Sequence, residues 1–201
     1  MCSSDLLESL GLTLERMTII HGCWLEDDDI ALMAERDVRL VYNPASNMFL
    51  GDGVTRIVDM QQAGIRLGLG SDGGCSNNRV SVFDEMRTCA LLQKVTHLSS
   101  EVVPAEAAFA MGTAGSAATL EVPAGAIVAG QYADFVLLDM DDPSLQPPLS
   151  YEKNVVYAMT PHAISEVIVG GESVFREGAP ARVPWSEVLA RMSEATRDWP
   201  K

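Results

Sequence analysis

The stretch "IRLGLGSDGGCSNN", residues 65–78, carries an ambiguity on which the fold turns. It contains Gly68-Leu69-Gly70-Ser71-Asp72-Gly73, a G-x-G-x-x-G spacing behind an apolar, strand-like run. Such a spacing suits two arrangements. One is a loop whose amides and following helix face a dinucleotide pyrophosphate. The other is the carboxyl end of a strand that delivers one carboxylate, Asp72, into a site. The dinucleotide arrangement needs a helix that opens inside the glycines and an acidic residue about 20 positions on. Here the next helical pattern begins near Ser81, the downstream segment "CALLQKV" holds no acid, and Asp72 would point a carboxylate at a phosphate. The strand-end reading meets none of these objections.

Two further apolar runs precede this one, "MTIIHGCWL" (residues 17–25) and "VRLVYNP" (residues 38–44). Each run ends in polar groups: His21-Gly22-Cys23, then Asn43-Pro44-Ala45-Ser46-Asn47, then Ser71-Asp72-Gly73. Each is followed by a helical pattern. "EDDDIALMAERD" opens on acidic cap candidates and aligns Ile30, Met33 and Ala34. "GVTRIVDMQQAG" carries Val54, Ile57, Val58 and Gln61 and stops at Gly64. "SVFDEMRTCALLQK" spaces Val82, Phe83, Met86, Cys89, Ala90 and Gln93 as a helix would. Strand starts recur every ~20–30 residues, the length of a βα unit, which predicts an α/β fold with a parallel sheet, open or closed into a barrel.

After Leu98 the texture changes. "SSEVVPAEAAFAMGTAGSAATL" reads as two short helices broken at residues 112–115. "AGAIVAGQYADFVLLDMD" and "SEVIVGGESVFREG" read as short strands with glycine turns, joined by the proline-rich "DDPSLQPPLS". A small β-rich unit is therefore expected from about Pro123. Two or three strands make a poor independent sheet, so pairing with strands from elsewhere is expected.

The 201 residues are 47% hydrophobic, as in a globular chain, and their formal net charge is -14. So acidic a chain repels phosphate backbones, which argues against nucleic acid as a partner. No basic amphipathic segment suggests a membrane surface, and no apolar run approaches the ~18 residues of a membrane span. The opening "MCSSDLLESLGL" lacks the regions of a secretory signal. Cys2, Cys23, Cys75 and Cys89 form no C-x-x-C pair and read as reduced thiols, so a cytoplasmic location is expected.

A carboxylate and an imidazole presented at strand ends are parts for activating a metal-bound water, which marks Asp72 and His21. Gly70, Gly73 and Gly74 let backbone or ligand approach closely. The same positions also have plain structural readings. Asp72 could cap a turn, His21 could be a satisfied core histidine, and Asn43, Asn47, Asn77 and Asn78 could fix loops by Asx turns. His97 reads as a surface residue, His162 as structural, and Cys23 and Cys75 as small packing residues. The acidic run at residues 26–29 suits a solvated helix start.

Three segments also resemble a known group of enzymes. They are "TIIHGCWLEDDDIALMAERDVRLVYNPASNMFLGDG", "AGIRLGLGSDGGCSNN" with "FDEMRTCALLQK", and "GTAGSAATLEVPAGAIVAGQYADFVLLDMD". In this order they resemble the amidohydrolase superfamily, in its branch of cytosine and guanine deaminase-like enzymes, S-adenosylhomocysteine deaminases and triazine chlorohydrolases. The resemblance implies a distorted (β/α)8 barrel with a small β-sandwich built from both chain ends. His21 would end strand six, residues 43–47 would follow strand seven, and Asp72 would end strand eight. Asp72 would be a metal ligand that also takes a proton from metal-bound water. His21 would contact the attacking hydroxide or the reacting group. Asn43, Ser46, Asn47, Cys75 and Asn77 would lie on the substrate side. The implied cofactor is a divalent metal, zinc or iron, and the implied substrate a small nitrogen heterocycle that loses ammonia or chloride.

The departure is equally specific. The family's H-x-H pair ending strand one, and its histidine ending strand five, have no counterpart among His21, His97 and His162. "SSDLLESLGL" matches the helix before strand six. Residues 1–122 are accordingly expected to be part of a barrel, strands six to eight. Residues 123–201 would be part of the sandwich with a terminal helix. A full barrel domain needs about 250 residues, which agrees with a truncated gene or read. By itself the chain is expected neither to retain metal nor to turn over substrate. Alternatives are one half of a split enzyme completed by an amino-terminal partner, or a non-catalytic binding chain. Self-association through an exposed sheet edge is a further expectation.

Overall fold

The structure, a computed structural model, describes residues 9–11 and 17–199. Cys2, and the helix matched to "SSDLLESLGL" apart from residues 9–11, lie outside them. Strands β1 (Thr18–Ile20), β2 (Arg39–Tyr42) and β3 (Leu67–Leu69) form a parallel sheet in that order. Ile19 lies opposite Leu40, and Leu40 opposite Leu67. Helices α1 (Asp27–Glu35), α2 (Pro44–Leu50), α3 (Ile57–Gln62), α4 (Gly74–Asn77) and α5 (Val82–His97) fill the connections. Among the described residues this sheet stays open and closes no barrel.

The local chemistry explains these boundaries. Glu26 and Asp29 form a reciprocal capping box at α1, and Asp27, Asp28 and Asp29 sit where the helix dipole favours negative charge. Gly64, in the left-handed region at φ 80°, follows the end of α3 as the sequence predicts. Ser81 caps α5 by accepting the Asp84 N–H. The strands are shorter than their apolar runs because the chain turns out of the sheet into left-handed residues, His21 at φ 69° and Asp72 at φ 60°.

The period-two residues Leu40, Tyr42, Leu67 and Leu69 are buried in one cluster with Ile57, Met60, Met86, Cys89 and Ala90. Residues 105–120 complete that layer. The sequence predicts a break at 112–115, but the helix runs on through a π turn, Met111–Gly115, between Ala105–Ala110 and Ser116–Leu120. Its glycines serve close packing rather than termination. A Cβ on Gly115 would lie 2.5 Å from the Leu67 carbonyl oxygen, and one on Gly112 would collide with Met86.

The carboxyl-terminal strands form a sheet of their own among the described residues. β4 (Phe135–Leu138), β5 (Ile164–Val169), β6 (Glu172–Arg176) and β7 (Ala179–Pro180) pair with one another in an antiparallel sheet of that order. Gly170 and Gly171, both at positive φ, make the tight β5–β6 turn, and the long β4–β5 connection supplies the remaining neighbour. That connection also packs backward. Val156 joins the main cluster, while Leu145, Val155 and Ala163 pack on Phe83 and Phe109. The terminal helix, Trp185–Ala195, leaves Trp185, Leu189 and Met192 exposed along one face.

At the end of the sheet opposite the polar loops, Arg39 is buried. Its guanidinium donates to the Thr119 carbonyl at 3.1 Å and pairs with Glu121. Glu121→Ala would leave that charge buried without its counterion. The expected cost is about 3 kcal/mol, read as a lower urea midpoint with an unchanged slope.

Candidate functional site

Parallel strands bring their carboxyl ends to one side, and the three polar termini meet there. His21 follows β1, Asn43 to Asn47 follow β2 and open α2, and Asp72 follows β3. The Ser46 hydroxyl donates to Asp72 Oδ2 at 2.7 Å, and the Gly73 amide donates to Asp72 Oδ1 at 2.6 Å. His21 Nε2 stands 3.8 Å from Asp72 Oδ2, and both side chains are about one-third exposed, 37% and 32%. The pair therefore faces an opening.

The imidazole is held by a ring of hydrogen bonds. Asn47 Oδ1 can only accept, so His21 Nδ1 donates to it at 2.7 Å and Nε2 of the neutral ring is left as an acceptor. The Asn47 amide donates to Thr55 Oγ1 at 3.4 Å, and the Thr55 hydroxyl donates to the His21 carbonyl at 2.6 Å. Ser46, Asn47 and Thr55 are fully buried. Asn43, the residue before the Pro44 that opens α2, is buried as well; a Cβ on Gly70 would lie 2.9 Å from its Oδ1. Cys75 is exposed on α4, and Asn77 donates to the Ser71 carbonyl at 2.7 Å.

The electrostatics follow from these contacts. The Ser46 hydroxyl, the Gly73 amide and the Ser76 hydroxyl hold the Asp72 carboxyl below its ordinary value, with attraction to His21 a smaller cause. Burial pushes the Cys23 thiol up, and pushes that of Cys89 to about 12, so neither is primed as a thiolate. The Gly73 amide, which a phosphate would need, is already taken by Asp72. α4 does begin at Gly74, earlier than the sequence pattern suggests, but it lasts a single turn. His97 lies elsewhere on the surface, its Nδ1 bonded to the Gln93 carbonyl at 2.9 Å. His162 sits near Asp142 in the short helix Pro161–Ala163, likewise apart from these strand ends.

A divalent metal fits this donor set poorly. Zinc takes three or four protein ligands. Among the described residues no group of three or more His, Cys, Asp or Glu could hold an ion. Thr55 and Glu85, which belong to none of the three polar strand ends, are also drawn into the site. Glu85 is fully buried, and one signal pointed to it: a charged residue on the apolar stripe of α5, between Val82 and Cys89. Thr55 has no such signal.

Residues 2–174 match the model of the amidohydrolase family. A 5-methylthioadenosine/S-adenosylhomocysteine deaminase of Thermococcus sibiricus is 38% identical over 170 residues, covering 85% of this chain and 40% of that protein. A zinc-bound adenosine deaminase from Xanthomonas campestris superposes with a TM-score of 0.91 at 29% identity, over 97% of this chain and 45% of that one. Zinc-complexed atrazine chlorohydrolase from Arthrobacter aurescens, at 22% identity, shares the fold with a TM-score of 0.89, over 96% of this chain and 44% of that one. The chain belongs to the amidohydrolase family, and it spans about two-fifths of the length of the curated relative it matches. No helix among the described residues is long and apolar enough to cross a membrane.

Two outcomes follow. Ser46→Ala should raise the Asp72 titration midpoint in a carboxyl-carbon NMR titration, because its largest stabilising hydrogen bond is gone. The sign is that of a lowered carboxyl. Its contribution to stability is present above the unfolded value and is lost as pH falls through Asp72's own value. Asn47→Leu should free the His21 ring, and nitrogen-15 NMR should then show loss of the preference for the Nδ1–H tautomer.

Proposed function

We propose that this chain is the part of an amidohydrolase-family (β/α)8 enzyme that carries strands six to eight. The enzyme would hydrolyse a bond from a ring carbon of a nitrogen heterocycle to its leaving group, with deamination of an adenosine-type purine the favoured case. One observation carries the reading: a carboxylate at the end of a parallel strand, held ionised, faces an imidazole whose tautomer is set by Asn47. The purine preference is supported by the Thermococcus sibiricus relative, whose name gives adenosine derivatives as substrates. A chlorinated triazine is the second substrate class, supported by the shared fold alone.

In this reading Asp72 takes a proton from the attacking water and returns it to the departing nitrogen. Water and the aminopurine become the oxopurine and ammonia. His21, through Nε2, accepts a hydrogen bond from the water or the reacting group. Ser46 acts through Asp72, and Asn47 through His21. Asn43 and Asn77 frame the loops, and Cys75 lies on the substrate side. The whole protein is read as metal-dependent, with zinc or iron and Asp72 among the ligands. The other ligands are not among the described residues, so these steps are confined to the chain's own groups. Residues 1–122 would then belong to the barrel and residues 123–201 to the sandwich and terminal helix. A complementary amino-terminal part would pair at the open sheet.

Two measurements test this. Elemental analysis of the purified chain should find well under one equivalent of zinc or iron; a full equivalent would contradict the donor-set argument. A chimera carrying this chain in place of the matching part of the Thermococcus sibiricus enzyme should release ammonia from 5-methylthioadenosine. Asp72→Asn in that chimera should cut kcat roughly 10³-fold. A folded, zinc-loaded chimera whose turnover is indifferent to Asp72→Asn would sink the proposal.

A further inference from the structure

Glu85 is 0% exposed, yet it belongs to α5 rather than to any strand end. Its two carboxylate oxygens are divided between the first turn of α2 and the end of α4. Oε2 accepts the Ala45 N–H at 3.0 Å, and Oε1 accepts from Asn77 Nδ2 at 2.7 Å. Ala45 immediately precedes Ser46, whose hydroxyl reaches Asp72. The same Asn77 nitrogen donates its second hydrogen to the carbonyl of Ser71, which immediately precedes Asp72. The contacts close a circuit from Glu85 through Ala45 and Ser46 to Asp72, and back through Ser71 and Asn77.

The circuit needs an acceptor at both oxygens. Burial pushes the Glu85 carboxyl up, the Ala45 amide and the Asn77 side chain oppose that, and the charge of Asp84 adds to it. Tyr42 and Cys89, also buried nearby, are held neutral by burial and add no charge. A carboxamide in its place would turn an NH2 group on a donor. An apolar side chain would leave two buried donors unpaired.

We propose that Glu85 is the positioning residue of this site: it sets the distance between the start of α2 and the loop after β3 so that Ser46 meets Asp72. The inference rests on the reading of Asp72 as the reactive carboxylate. Glu85 hydrogen-bonds Ala45 and Asn77 rather than Asp72 or His21, so it acts only through the segments it ties.

Amide hydrogen exchange on the 201-residue chain tests the idea, with Gly73 as reporter. Its N–H is bonded to Asp72 and makes no contact with Glu85. Glu85→Gln should lower protection at Ala45 and Gly73 about tenfold or more while Leu40 and Leu67 keep theirs. The reciprocal pair E85Q/N77D again offers an acceptor to the Ala45 amide and an opposed donor and acceptor between positions 85 and 77, so it should recover protection at Ala45, while Gly73 stays loose because an Asp at 77 cannot donate to the Ser71 carbonyl. Asn77→Ala cuts one arm without touching the core, so it decides the matter if Glu85→Gln fails to fold. It should loosen Gly73 and spare Ala45. An equal loss across the strands with no recovery in the pair would reduce Glu85 to a packing residue and overturn the proposal. Unchanged Gly73 protection in both Glu85→Gln and Asn77→Ala would overturn it as well. Failure of Asp72 as a reactive group would show instead in the turnover of Asp72→Asn, with the exchange pattern intact.

Discussion

The pairing of β2 with a parallel neighbour on each side is the constraint from which the rest follows. It places His21, the start of α2 and Asp72 in line at one edge of the sheet, although they are separated by 26 residues in each step that matters, His21 to Asn47 and Ser46 to Asp72. Parallel strands need a crossover between them, and each crossover here carries a helix that buries the sheet's apolar face. The buried Leu40, Tyr42, Leu67 and Leu69 thus anchor the strands from which the polar loops project.

Those loops are held at a cost that the packing must meet. His21 and Asp72 are non-glycine residues in the left-handed region, worth of order 1–3 kcal/mol each in strain. Local hydrogen bonds hold both positions. The His21 amide donates to Val41 and its carbonyl accepts from Thr55, while the Asp72 carboxylate collects Ser46 and Gly73. Side-chain chemistry and backbone geometry are therefore set by the same few contacts. Asp72 is kept ionised mainly by neutral donors, Ser46 first, with attraction to His21 a smaller cause.

Much of this was legible in the residue pattern. The three apolar runs, their polar ends and the helices between them came out as read, and the family match agrees with the resemblance of the segments that contain them. The misreadings have physical causes. Gly112 and Gly115 look like helix breakers, yet they are needed for close approach to Met86 and to the Leu67 carbonyl. The pairing of β4 with β5 is not legible in the sequence because a long proline-rich connection separates them. Thr55 was invisible because nothing in its neighbours distinguishes a buried hydroxyl from a loop one.

The sequence by itself determined the βα rhythm, the apolar stripes and the identity of the groups at each strand end, because periodicity and local turn chemistry act over a few residues. Tertiary structure alone decided which of those groups meet. Ser46 could reach Asp72, Asn47 could fix a histidine tautomer, and Glu85 could take one donor from each loop only after the sheet had brought distant segments within hydrogen-bond range. Hydrogen bonds depend on distance and angle over a few tenths of an ångström, and no spacing along a chain encodes that.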